Sequence, residues 1–194
     1  MPDACVNVLF NQRDTAIAGV TALNTTHTKL NLGPSFHYVG IQFFPGVWRG
    51  LNDTVDQYVG DAYVGVLPLV ATSEALVGLA FGGMQPLLDE FVGELLDSEV
   101  IARNPVTAAI LTNIADINSV ADMAEAAHLS PRQLQRTLKS TTGFTPHDLF
   151  KVLRLQRSFR QDYLLSFADQ SHYTHSFRGI TGYTPGEFQK RFDV

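Results

Sequence analysis

The chain contains little cysteine, little charge and no uninterrupted apolar segment. Its single cysteine, Cys5, rules out a disulfide within the chain, and because this suits a reducing compartment we expect a cytoplasmic protein. The most apolar stretch, residues 63–83, is interrupted by Pro68 and Glu74, so we expect no membrane span. The first ten residues hold no basic residue and no long apolar core, so we expect no secretory signal.

The familiar motifs of catalysis are also missing. The sequence has no phosphate-cradling glycine loop, no nucleophile elbow, no cluster of metal ligands and no paired carboxylates in an apolar setting. Cys5 lies in the apolar run of residues 5–10, which favours a small buried side chain over a nucleophile. We therefore predict that the protein is not an enzyme and uses neither a cofactor nor a metal ion.

The charge that is present is divided unevenly. The net charge is −5, yet residues 131–194 hold ten basic and five acidic side chains, whereas residues 1–130 hold four basic and 14 acidic ones. A basic end joined to an acidic part is typical of a nucleic-acid-binding domain attached to a domain that does not bind nucleic acid. An ordinary charged helical surface is the alternative that the charge alone leaves open.

The hydrophobic pattern predicts an α+β protein. An antiparallel sheet or part of a barrel is indicated for residues 1–71, with strands at residues 5–10, 15–23, 26–32, 37–44 and 64–70 and short helices near residues 47–51 and 54–58. A helical connector is predicted for residues 72–112 and an all-α domain for residues 113–194. Seven aromatic side chains of the first part could line a pocket, although core positions are favoured: Phe36, Tyr38, Phe43, Phe44, Trp48, Tyr58 and Tyr63.

Helix boundaries follow from capping and breaking residues. Thr72 or Ser73 is a candidate N-cap for a helix that runs toward Phe81 and breaks at Gly82-Gly83. Apolar spacing predicts the next helix at residues 84–96, and Asn104-Pro105 opens another at residues 106–114.

An internal repeat carries the functional argument. The motif Gly-Phe-Thr-Pro at residues 143–146 recurs as Gly-Tyr-Thr-Pro at residues 182–185, an offset of 39 residues. With the same offset, Leu134 aligns with Tyr173 and Leu138 aligns with Phe177. Two copies of one unit are therefore predicted, each with a capped helix, a glycine turn and a second helix.

The first copy has the pattern of a helix-turn-helix. Ser119 caps a helix over residues 120–127, His128-Leu129 forms the turn, and Ser130-Pro131 begins a second helix over residues 132–140. Leu134 and Leu138 point inward at i, i+4 spacing. The candidate DNA-binding residues of this copy are Ser130, Arg132, Gln133, Gln135, Arg136 and Lys139. A solvated amphipathic helix is the competing interpretation.

These residues resemble the DNA-binding domain of the AraC/XylS family of bacterial transcription regulators. The likeness covers residues 114–192 and rests on LSPRQLQR at residues 129–136, GFTP at 143–146, DQSHY at 169–173 and GYTP at 182–185. It implies two helix-turn-helix units joined by a long helix, with each recognition helix in the major groove of duplex DNA. It also implies an N-terminal domain that binds a small-molecule effector or forms a homodimer, and a contact with RNA polymerase if the protein is an activator.

A weaker likeness covers the N-terminal part. PDACVN at residues 2–7, VGIQFFPG at 39–46 and VLPL at 66–69 resemble the β-rich domain of one AraC-type subgroup. Relatives there usually carry further chain before this point. The resemblance therefore implies a cupin-like barrel. This sequence either begins partway through that barrel or has a naturally shortened form of it.

The second copy departs from the family pattern. Only 22 residues, 147–168, separate Pro146 from Asp169, which shortens the family spacing by roughly three helical turns. A linker helix from Pro146 through Arg160 would leave residues 161–166 for a separate scaffold helix. The second set of candidate DNA-binding residues is Gln170, Ser171, Thr174, His175 and Arg178. His172 and His175 have a spacing compatible with a metal, but a packed or capping His172 and a surface His175 are favoured.

Two functions remain open from the sequence. The leading hypothesis is a sequence-specific transcription regulator that reads DNA with the first unit and contacts the DNA backbone with the second. The alternative is a regulatory or oligomerisation module that has lost autonomous DNA binding because its second unit is shortened.

Overall fold

The computed structural model describes residues 4–15, 17–21, 35, 37–49, 67–160 and 170–192. Contacts divide the chain into two compact units. Among the described residues, one unit comprises those between Cys5 and Asn104, and the other comprises Ala4 and those from Pro105 onward.

The first unit contains a three-stranded antiparallel sheet. Its strands are β1 (Val6–Asn11), β2 (Ala18–Val20) and β3 (Tyr38–Phe43), in the order β2-β1-β3. On β1 the side chains of Val6, Val8 and Phe10 are buried and alternate with half-buried ones, as the sequence pattern predicts for a strand with one face on a core. Cys5 is buried, as predicted.

Two helices follow, α1 (Leu69–Leu76) and α2 (Phe81–Asp97). The predicted cap at Thr72 or Ser73 is wrong because α1 already begins at Leu69, which also excludes residues 69–70 from the predicted strand. The predicted break at Gly82-Gly83 is wrong as well. Both glycines lie inside α2, and the chain breaks instead near Gly78, which has a φ of +76°.

Aromatic side chains fill much of this unit. Phe10 meets Phe91 of α2 edge-on at 5.5 Å between ring centroids, and Phe43 lies 5.6 Å from Trp48. The backbone on either side of Trp48 pairs with residues 100 and 102, so the short helix predicted near residues 47–51 is wrong over residues 47–49. Phe43 and Trp48 belong to the core, whereas Phe44 is 60% exposed. Phe36, Tyr58 and Tyr63 lie outside the described residues.

The second unit is helical throughout its described part. Its helices are α3 (Pro105–Thr112), α4 (Val120–Ala126), α5 (Pro131–Thr142), α6 (Pro146–Arg160), α7 (Gln170–Thr181) and α8 (Pro185–Phe192). The predicted α+β class is confirmed by the antiparallel sheet and these helices. The linker helix predicted from Pro146 through Arg160 is α6, whereas the scaffold helix predicted at residues 161–166 lies outside the described residues.

Helix α6 contributes to two hydrophobic clusters. Leu149, Val152 and Leu153 join the cluster that holds α4 and α5 together. Leu155, farther along the same helix, joins a second cluster with Tyr173, Phe177 and Ile180 of α7. Both copies of the repeat are therefore built on one helix.

Candidate nucleic-acid interface

The α4–turn–α5 segment is held by a compact apolar core. Met123, Ala124, Leu134 and Leu138 are buried in one cluster, and Ala127 packs partly buried against it. The small side chains of Ala124 and Ala127 let the two helices approach closely. The turn uses a left-handed residue, His128, with a φ of +53°.

The start of α5 is fixed by a reciprocal capping box. The Ser130 hydroxyl accepts a hydrogen bond from the Gln133 amide at 3.3 Å, and the Gln133 side-chain oxygen accepts one from the Ser130 amide at 3.0 Å. Pro131 occupies the first turn, where a missing N–H costs nothing. Ser130 and Gln133 are exposed and were both predicted to contact DNA, but the structure gives their side chains a capping role.

The remaining predicted residues of α5 lie on its exposed side. Arg132, Gln135, Arg136 and Lys139 are all exposed, opposite the fully buried Leu134 and Leu138. The Lys139 ammonium donates to the Gly143 carbonyl at 2.8 Å, which ties it to the end of its own helix. The two arginines and Gln135 thus form a polar face, and the outward direction predicted for them from the helical period is what the structure shows.

An interaction that the sequence pattern did not reveal fastens this segment to α6. The Arg157 guanidinium donates to the Ile117 carbonyl at 2.9 Å and to the Ile114 carbonyl at 3.4 Å. Both acceptors lie in the connection between α3 and α4. No side-chain spacing could have indicated Arg157 because its partners are backbone carbonyls at least 40 residues earlier.

Residues 110–151 match the family described as bacterial regulatory helix-turn-helix proteins, AraC family. This segment is therefore similar to the AraC-type helix-turn-helix. The match spans α4, the turn at His128 and α5, so it covers the helices whose geometry is given above. The match supports a role in DNA-binding regulation of transcription, with DNA as the partner of this segment. Neither a curated protein nor a solved structure matches the chain.

The second set of predicted residues lies beyond the AraC-family match, on α7. A shallow, open groove of about 460 Å³ brings this set together with the residue before α8, and it is lined by Gln170, Ser171, Thr174, His175, Arg178 and Thr184. Gln170, Ser171, His175 and Arg178 are exposed and Thr184 is half-buried. The structure thus gathers all five predicted residues of the second copy on one surface, while leaving their role a prediction.

The two copies also share their capping chemistry. Asp148 at the start of α6 accepts hydrogen bonds from the Thr145 hydroxyl at 2.6 Å and amide at 3.1 Å. Glu187, 39 residues later, accepts the same pair from Thr184 at 2.8 and 2.7 Å. These bonds lower the pKa of each carboxyl because they stabilise its ionised form.

Metal binding and membrane insertion can be judged for part of the chain. Across the ranges that the structure describes, no three His, Cys, Asp or Glu side chains are grouped to hold a metal ion. Asp169 and the side chain of His172 lie outside those ranges. No helix within the described residues is both long and apolar enough to cross a bilayer.

Proposed function

We propose that this protein is a transcription regulator of the AraC type and that it reads DNA sequence with α5, whose Arg132, Gln135 and Arg136 enter the major groove. The supporting observation is that these three side chains are exposed on the side of α5 opposite the buried Leu134 and Leu138. Arginine recognises guanine through two hydrogen bonds, and glutamine recognises adenine. Such a face, on a helix whose start is capped, presents base-reading groups on a rigid support.

The proposal ranks the candidate residues of α5. Ser130 and Gln133 shape the helix start, and Lys139 stabilises its end, so their substitution acts mainly on the helix. Arg132 and Arg136 keep their charges available to phosphates and bases. Gln135 lies between them on the same exposed side and is the best candidate for discriminating one base pair from another.

The test is a selection of duplexes from a random pool, followed by affinity measurements on the selected site over a range of salt concentrations. We expect the Arg132→Ala/Arg136→Ala variant to bind more weakly. The slope of log affinity against log salt concentration should become shallower by about one unit for each phosphate contact removed. Arg103→Ala is the matched control because Arg103 is an exposed arginine of the other unit. Unchanged affinity and salt slope in the double variant would show that α5 is not the reading surface.

We propose a separate role for the acidic part of the chain. The proposed domains are residues 1–71, 72–112 and 113–194, and the first of them serves sensing or oligomerisation. Its proposed partners are a small-molecule effector and a second copy of the chain. RNA polymerase is a further partner if the protein is an activator. This proposal rests on the family resemblance and on the charge of residues 1–130, which hold 14 acidic and four basic side chains. A negatively charged domain of this kind repels DNA. Sedimentation of the full chain tests the homodimer. A folded oligomer without salt-dependent duplex binding would favour a module that has lost autonomous DNA binding.

A further inference from the structure

The connection between α3 and α4 is hydrogen-bonded to α6. The Nη1 nitrogen of Arg157 donates to the Ile117 carbonyl at 2.9 Å and to the Ile114 carbonyl at 3.4 Å. Both carbonyls follow the end of α3 at Thr112, where backbone oxygens lack a partner within a helix. A positive charge near that end also stabilises the negative end of the helix dipole. Arg157 thus supplies donors and charge at the point where α3 ends.

The side chain of Arg157 is enclosed by the protein. The residue is half-buried, and its Nε atom is buried. A guanidinium is planar and holds its donors in a fixed arrangement, unlike the ammonium of lysine on its flexible stem. Hydrogen bonds are directional, whereas the apolar contacts that α6 makes with α4 and α5 are not. Arg157 therefore fixes the direction of the α3–α4 connection on α6, which the apolar contacts alone leave adjustable.

Helix α6 holds the first helix-turn-helix at two separated places. Leu149 and Leu153 lie in the apolar cluster that contains α4 and α5. Arg157 lies eight residues beyond Leu149, which corresponds to about 12 Å along the helix. Two attachments this far apart on one helix set an angle as well as a position. Loss of the second attachment would let α4 and α5 pivot about the apolar cluster.

An error in the angle of α5 affects contacts with bases and contacts with phosphates differently. Base recognition needs two hydrogen bonds of good distance and angle at once, and such bonds weaken steeply when the geometry changes. Phosphate contacts carry no sequence information and depend chiefly on charge. A tilt of α5 should therefore lower the affinity for a preferred sequence more than the affinity for random DNA.

We propose that Arg157 is a positioning residue for the reading of DNA by α5. It acts through the Ile114 and Ile117 carbonyls, which fix the angle of α4 and α5 on α6. This inference rests on the proposed function of α5. It adds to that function a determinant of sequence specificity on a different helix from the reading face.

The experiment measures the affinity of the full chain for two fluorescent duplexes. One is the site that the wild type selects from a random pool, and the other has a random sequence. The specificity ratio is the affinity for the first divided by the affinity for the second. Arg157→Met keeps an apolar stem and removes the donors, whereas Arg157→Lys keeps a charged donor. Lys151→Met is the matched control because Lys151 is an exposed cation on the same helix.

We expect Arg157→Met to lower the specificity ratio at least about fivefold, the equivalent of one weakened base contact, and to leave the affinity for random DNA nearly unchanged. Arg157→Lys should recover part of the lost ratio because an ammonium also donates to carbonyl oxygens. Lys151→Met should keep the wild-type ratio. Circular dichroism verifies that each variant is folded. Trimethylamine N-oxide, which favours the folded state, is added to all samples if Arg157→Met is unstable.

The specificity ratio separates positioning from a role in stability alone. A wild-type ratio in folded Arg157→Met overturns the proposal. An equal loss of both affinities also overturns it, because a smaller folded fraction weakens both kinds of binding alike. If Arg157→Lys is no better than Arg157→Met, the assignment to the two hydrogen bonds is wrong.

The proposed function of α5 fails in a different way. If Arg132→Ala/Arg136→Ala keeps full affinity, α5 is not the reading surface, and the inference about Arg157 falls with it. If that double variant loses affinity while Arg157→Met keeps the wild-type specificity ratio, only the inference about Arg157 is wrong.

Discussion

Thr142 and Thr181, 39 residues apart, make the same two hydrogen bonds. The Thr142 hydroxyl donates to the Leu138 carbonyl at 2.7 Å and accepts from the Phe144 amide at 3.0 Å. The Thr181 hydroxyl donates to the Phe177 carbonyl at 2.8 Å and accepts from the Tyr183 amide at 3.2 Å. Each threonine joins the end of one helix to the turn that leads into the next. The repeat seen in the sequence is therefore also a repeat of buried polar contacts.

Thr142→Val should destabilise the helical unit. Valine has nearly the same shape, but it leaves the buried Phe144 amide without its acceptor, at a cost of about 1–3 kcal/mol. Thr141→Val is the matched control because the Thr141 hydroxyl is only half-buried and donates to a single carbonyl, that of Thr137. Urea unfolding of both variants measures the difference, and equal stabilities would contradict the role assigned to Thr142.

Gln133 and Gln135 offer a pair of identical side chains with different predicted roles. Gln133→Ala should lower the free energy of unfolding by about 0.5–1.5 kcal/mol, because it breaks the capping box, and should leave the preferred DNA sequence unchanged. Gln135→Ala should leave stability unchanged and relax the preference at one base pair. Thermal unfolding and selection from a random duplex pool, applied to both variants, separate the two effects. A change of base preference in Gln133→Ala alone would reverse the assignment.

His128→Gly should stabilise the protein. A left-handed conformation costs a residue with a side chain about 1–2 kcal/mol, whereas glycine pays only about 0.5–1 kcal/mol of extra backbone entropy. The net gain is therefore between about 0 and about 1.5 kcal/mol. His147→Gly, at an exposed position in the first turn of α6, should instead destabilise by up to about 1 kcal/mol. Chemical denaturation compares the two variants, and a loss of stability in His128→Gly would contradict the strain assigned to the turn.

Acid should weaken the start of α6 through Asp148. The pKa of this carboxyl is lowered in the folded protein by the Thr145 hydrogen bonds, so its contribution is present above the ordinary value of 3.8 and is lost as the pH falls through the lower folded value. Asp148→Asn should therefore flatten the fall in melting temperature below about pH 4. Asp97→Asn provides a comparison at an exposed carboxyl in the other unit. A pH profile of Asp148→Asn that is parallel to the wild type would exclude this contribution.

Local signals predicted the helical unit well. Ser119, Ser130 and the two Thr-Pro sequences mark helix starts in both sequence and structure, because capping depends on neighbouring residues alone. The 3.6-residue period likewise placed Leu134 and Leu138 inside and Arg132 outside. The polar face of α5 was therefore predictable from the sequence alone.

Tertiary packing and the partners of exposed polar side chains were not predictable in this way. Gly82 and Gly83 looked like a helix break, but α2 continues through them because its buried Met84, Leu88 and Phe91 outweigh the modest cost of two exposed glycines. The capping roles of Gln133 and Lys139 were also missed. An exposed polar side chain on a helix has the same sequence pattern whether it bonds its own helix or is available to a partner.

The position of Leu155 has a consequence for how the helical unit melts. Since α6 supplies Leu149 to one cluster and Leu155 to the other, fraying of this helix removes a buried side chain from both. Among the described residues both clusters depend on α6, so heat or denaturant should unfold them together in one cooperative step. A substitution that creates a cavity beneath α7 should then also destabilise the core beneath α5, although the two helices present separate surfaces.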